Sequence, residues 1–119
     1  MLNIAQISKD KKIQDSFTDI IQSIISNYAP QKIVLFGSYA RGDAHEGSDI
    51  DLMLIKETSK RFIDRIADVI RLNNTLISLE PLVYSPLEFE NMKKEKRDFI
   101  LTIEEEGIDI YDARSTKMA

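Results

Sequence analysis

The 119-residue chain contains no cysteine and one histidine. No cysteine means no disulfide framework, no thiolate metal site and no cysteine nucleophile. His45 alone excludes a histidine-cluster metal site and leaves only a Ser–His pairing, for which no other feature speaks. Glycine and proline are scarce, at four and three residues, so no flexible linker interrupts the chain. No apolar run approaches the length of a membrane span. The start, MLNIAQISKDKK, has no apolar stretch after a basic one, so it does not read as a signal peptide, and the expected location is cytoplasmic. Basic residues are the minority, 16 against 20 acidic, for a formal charge of −4. That balance argues against a general nucleic-acid binder, which needs a basic surface to meet phosphates.

What remains is a globular composition, 43% hydrophobic and 30% charged, in a chain of one-domain length, 1–119. Ile13, Phe17, Ile20, Ile21, Ile24, Ile25 and Tyr28 recur with the 3.6-residue period of an amphipathic helix over about 10–28, stopped by Pro30. KIVLF, 32–36, reads as a buried strand between Pro30 and Gly37. A loop with three of the four glycines follows, with room for one helical turn, and DIDLMLI, 49–55, reads as the second strand. A second helix is expected from Arg61 to about Leu76. LEPLVY, 79–84, reads as a third strand, and Pro81, which cannot donate a ladder hydrogen bond, places it at an edge or makes it irregular there.

Ser85, Pro86 and Glu88 have the spacing of a capping box with proline at the first helical position. The helix they start runs to about Glu106, with a break near Lys96 and Gly107 as its stop. Residues 108–111 suit a short last strand, and a frayed tail is expected from Arg114. The order of elements predicts an α/β (α+β) fold: a small mixed sheet flanked by helices.

The chemistry is concentrated in LFGSYARGDAHEGSDIDLMLI, residues 35–55. Asp49 and Asp51 are two apart on a strand, so their carboxylates project from the same face. Adjacent like charges are costly, and hard divalent cations, which take carboxylate oxygens, are a reason to keep them. At the end of the first strand, Gly37 permits unusual backbone angles and close approach of a phosphate. The Ser38 hydroxyl and the backbone N–H groups of a following turn are further donors. A phosphate cradle beside metal-binding carboxylates is what nucleotidyl transfer requires.

Gly37-Ser38, ten intervening residues and Asp49-Ile50-Asp51 resemble the signature of the DNA polymerase β nucleotidyltransferase superfamily. The fuller strings, Gly37-Ser38-Tyr39-Ala40-Arg41-Gly42 and Ser48-Asp49-Ile50-Asp51-Leu52, resemble the minimal nucleotidyltransferases of prokaryotes, and EEEGIDIY, 104–111, is also similar to that group. The resemblance implies a polymerase β-like core, two Mg2+ ions and ATP as donor. It implies Asp49 and Asp51 as catalytic metal ligands and a third carboxylate on the next strand. Glu80 is the acidic residue there; it is longer than the usual aspartate and precedes Pro81. It also implies a setting: an antitoxin paired with a HEPN-domain RNase toxin, transferring AMP to a tyrosine of that partner, in a possible homo- or hetero-oligomer. The chain is shorter than relatives that carry an extra domain for an aminoglycoside. An alternative from another class is a binding module that neutralises its partner by occlusion.

Each residue also has a plainer role. Ser38 is expected to cap the helical turn as well as meet phosphate. Arg41 suits a triphosphate contact or an ion pair with Asp43 or Asp49. His45 and Glu46 read as loop surface, Tyr39 as packing or pocket lining. Lys93, Lys94, Lys96 and Arg97 read as a solvated helix face, and Glu104–Glu106 as an exposed helix end.

Overall fold

The computed structural model describes residues 4–117, with side chains through 115. Residues 1–3, which open the segment read for a signal peptide, and the last two of the tail lie outside the described residues. After a single 3-10 turn (Ile4–Gln6) the elements are α1 (Lys11–Tyr28), β1 (Lys32–Phe36), α2 (Ser38–Arg41), β2 (Ile50–Ile55), α3 (Phe62–Ile70), β3 (Leu79–Tyr84), α4 (Pro86–Lys94), α5 (Asp98–Glu106), β4 (Ile108–Asp112) and α6 (Ala113–Lys117).

The four strands form one mixed sheet in the order β3-β2-β1-β4. β1 runs antiparallel to β2 and β4, while β2 and β3 are parallel. The parallel pair follows from chain order, because α3 carries the chain back across the sheet between β2 and β3. Pro81 lies on an edge strand, as its missing N–H demands.

Alternation along the strands sorts side chains onto two unequal faces. Ile33, Leu35, Ile50, Leu52, Leu54 and Val83 meet Phe17, Ile20 and Ile24 of α1 and Val69 of α3 in the larger core. Burying each such side chain stabilises the fold by about 1.5–3 kcal/mol. The opposite face carries a smaller core of Val34, Met53 and Ile55, covered by Phe89 of α4 and Phe99 and Ile103 of α5.

Two expectations change, and one is met. The helix expected to reach Leu76 ends at Ile70. The Asn73 side chain accepts from Thr75 N and donates to the Ile77 carbonyl at 2.7 Å, a local alternative to helical bonding. As expected, the later helix breaks near Lys96, which has φ 51°. The tail expected to fray from Arg114 continues as α6 to Lys117. Its Arg114 pairs with Asp112 at 3.0 Å.

Candidate active site

Strand pairing fixes the position of Asp51: its register partners are Phe36 on β1 and Glu80 on β3. In a parallel pair, residues in register project from the same face. The Asp51 and Glu80 carboxyl groups hydrogen bond to each other. Burial raises the Asp51 pKa from 3.8 to about 6, and the Glu80 hydrogen bond, the Glu80 charge and the Asp49 charge push the same way, against Arg41. Asp51 therefore holds a proton more readily than an ordinary aspartate. Ile50, Leu52 and Leu54, fully buried on the other face, hold Asp51 in this costly position. Asp49 precedes β2 and acts on Asp51 through its charge rather than a hydrogen bond.

β1 delivers Gly37 against this carboxylate. A Cβ at Gly37 would lie 2.1 Å from Asp51 Oδ2, and the residue has φ +78°. Both space and backbone angle therefore require glycine. Gly37 occupies the cap position of α2, and no side chain caps that helix. Ser38 is instead its first residue, so the expected capping role fails and its hydroxyl is left to other uses. Tyr39 is buried in the main core, as packing predicts.

Arg41 ends α2. Its Nε donates to Asp43 Oδ2 at 3.1 Å and its Nη1 to Glu106 Oε2 at 3.2 Å. The ion pair with Asp43 was expected; that with Asp49 does not form. Hydrogen bonds to Asp43 and Glu106 raise the Arg41 pKa, so the guanidinium is a permanent charge beside the carboxylates.

Glu106 departs most from the expected exposed helix end. Its side chain is 19% exposed, and besides Arg41 it accepts from the Gly37 N–H at 3.1 Å. Glu104 and Glu105 are exposed as expected. The available signal was Gly107, immediately after Glu106. A Cβ there would lie 2.4 Å from the Ile103 carbonyl oxygen and 2.9 Å from Val34 Cγ1, so α5 turns tightly against β1 and aims Glu106 at the β1 end.

His45 is exposed in the loop, with Nδ1 2.8 Å from the Glu46 carbonyl. Lys93 and Arg97 pair with Glu90 and Glu95 on the surface, so the basic cluster is a solvated face.

Among the described residues, no three His, Cys, Asp or Glu side chains already converge as a metal site. The donor chemistry still fits a hard divalent cation: Asp49, Asp51 and Glu80 offer only oxygen, and a cation would offset the repulsion that helps to raise the Asp51 pKa.

Comparison with known proteins gives the family. The chain belongs to the family described as polymerase beta, nucleotidyltransferase, whose model matches residues 19–116. More particularly, it is similar to two proteins of Methanocaldococcus jannaschii that bear protein adenylyltransferase as a provisional name. MJ0141 is 36% identical over 84 residues, covering 66% of this chain and 77% of that protein. MJ0604 is 29% identical over 102 residues, covering 82% and 97%. Two crystal structures share the fold. One, provisionally named a nucleotidyltransferase, is from Sulfolobus solfataricus, with TM-score 0.55 and 18% identity over 88% of this chain and 90% of that one. The other is a toxin-antitoxin with AMP-PNP, with TM-score 0.57 and 21% identity over 80% and 72%. Among the described residues, no helix is long and apolar enough to cross a membrane.

Proposed function

We propose that this nucleotidyltransferase moves AMP from ATP to a hydroxyl of a partner protein, in the cytoplasm, and that it acts as an antitoxin on a tyrosine of a HEPN-domain toxin. The observation that carries the reading is the meeting of Gly37 with Asp51, and of Asp51 with Glu80, at the ends of three adjacent strands. Names of the relatives support the adenylyl group and a protein acceptor, and the toxin-antitoxin neighbour motivates the setting.

Asp49, Asp51 and Glu80 would hold Mg2+, two ions in the full site, which supplies charge neutralisation for the triphosphate and the departing pyrophosphate. Gly37 and Ser38 bind the phosphates, the glycine by letting them approach the backbone and the serine through its hydroxyl. Arg41 contributes a fixed positive charge. In the reaction the acceptor oxygen forms a bond to the α-phosphorus as the α–β bridging P–O bond breaks. The hydroxyl proton passes to one of the site's carboxylate oxygens.

A second reading, neutralisation by occlusion without chemistry, is favoured by the exposed apolar side chains Ile63, Leu76 and Leu87. One experiment separates the two. The protein is incubated with α-labelled ATP and magnesium in a host extract, beside the Asp49→Asn, Asp51→Asn double variant. A labelled protein band that disappears with the variant supports adenylyl transfer and gives the target's size. A folded wild-type protein that labels nothing, with a double variant that still neutralises the partner, transfers the case to occlusion.

A further inference from the structure

We infer that Glu106 is a positioning residue for nucleotide binding: it sets Arg41 and the Gly37 turn in place before the triphosphate arrives. The inference rests on the nucleotidyl-transfer reading and extends it to a residue 65 positions away from Arg41 in sequence.

One carboxylate reaches both components. Oε1 accepts from the Gly37 N–H at 3.1 Å, and Oε2 accepts from Arg41 Nη1 at 3.2 Å. Gly37 is also the residue packed against Asp51 Oδ2. Holding its N–H fixes the turn that sets the distance between the cradle and the carboxylates.

Arg41 alone is a long side chain, 47% exposed, and ordering it at the moment of binding carries an entropic cost. Asp43 takes its Nε and Glu106 its Nη1. A guanidinium has five N–H donors in a rigid plane, so two anchored groups orient the rest while leaving donors for a phosphate. The placement is enforced from behind, because Gly107 lets α5 close onto Val34 of β1. Glu106 is thus carried by the smaller core and delivers that core's rigidity to the site.

The opposite role is physically reasonable on the same distances: a carboxylate on these donors could compete with phosphate rather than prepare for it. The two roles give opposite signs. The test measures the dissociation constant of a non-hydrolysable ATP analogue with magnesium by calorimetry, together with KM and kcat for transfer to the labelled acceptor. Glu106→Gln keeps an oxygen for the Gly37 N–H but loses the charge facing Arg41. Glu106→Ala loses both, and Glu105→Gln removes the same charge from an exposed neighbour.

Positioning predicts weaker analogue binding and higher KM by about threefold to tenfold in Glu106→Gln, a larger loss in Glu106→Ala, kcat changed much less, and Glu105→Gln like the wild type. In an Arg41→Gln background, Glu106→Gln then adds little. Tighter or unchanged analogue binding in Glu106→Gln and Glu106→Ala, with both folded by thermal melting, overturns the inference and leaves the function standing. If the wild-type protein binds no nucleotide, the functional reading falls and takes this inference with it.

Discussion

Asp51→Asn should make the protein more stable at neutral pH while abolishing transfer. The Asp51 carboxyl has a pKa of about 6 in the fold against 3.8 ordinarily. Between those values the folded state binds more protons than the unfolded chain, so folding weakens as pH rises from about 4 and the penalty is complete above about 7. A gap of this size corresponds to a ceiling of about 3 kcal/mol. The group is only partly buried, and solvent screening reduces the expected penalty to about 1 kcal/mol. Asparagine carries a permanent N–H donor to Glu80 and no charge, so it keeps the hydrogen bond and removes the repulsion. For a domain of this length, 1 kcal/mol moves Tm by about 3–5 °C. Thermal unfolding followed by circular dichroism at pH 7.5 should show that gain, and at pH 4.5 about a third of it. Added magnesium should raise Tm of the wild type more than that of the variant. A variant that melts at or below the wild-type temperature at pH 7.5, or gains equally at both pH values, refutes the electrostatic account.

Other substitutions probe the scaffold. Gly37→Ala meets Asp51 Oδ2 and a positive φ together, so it should lose about 1–3 kcal/mol of stability and transfer with it, measured by urea unfolding and the labelling assay. Gly107→Ala, blocked by the Ile103 carbonyl and Val34, should cost about 2 kcal/mol or more and raise KM for ATP through displaced Glu106. Arg65 is buried and bonds Glu88 at 2.7 Å and the Lys60 and Val83 carbonyls. Glu88→Ala therefore strands a buried cation and breaks the α4 capping box, for a loss of about 3 kcal/mol in urea unfolding. Leu76→Ser, at a fully exposed position, should change stability by less than about 0.5 kcal/mol; a larger loss would mean that Leu76 packs against something in solution.

Local order in the chain was plain from its residues. The strand runs 32–36 and 79–84 and the Ser85–Glu88 cap depend on neighbours a few positions apart, and each is where local pattern places it, whereas β2 starts one residue late, at Ile50, and leaves Asp49 just outside the strand expected to carry both aspartates. The site was legible as a set of residues but not as a set of contacts. Asp51 meets Glu80 only because β2 and β3 are parallel and in that register, a pairing that no local pattern encodes. Glu106 and Arg65 were opaque for the same reason. Charged residues on helices read as solvent-facing until a distant segment arrives, whether the Gly37 turn for one or the Val83 strand end for the other. The early end of α3 had a readable cause in Asn73, whose side chain competes with helical bonding, but apolar periodicity through Leu72 and Leu76 outweighed it.

The two unequal faces of β2 give Asp51 a part in folding that precedes any chemistry. Side chains alternate along a strand, so a slip of one residue exchanges the faces. In β2 that slip would drive Asp51 among Ile20, Ile24 and Leu35 and turn Leu52 toward the carboxyl of Glu80. An ionised carboxylate cannot settle in that core. The misaligned strand therefore undoes itself, and the residue most awkward to hold becomes the chain's own proofreader of alignment.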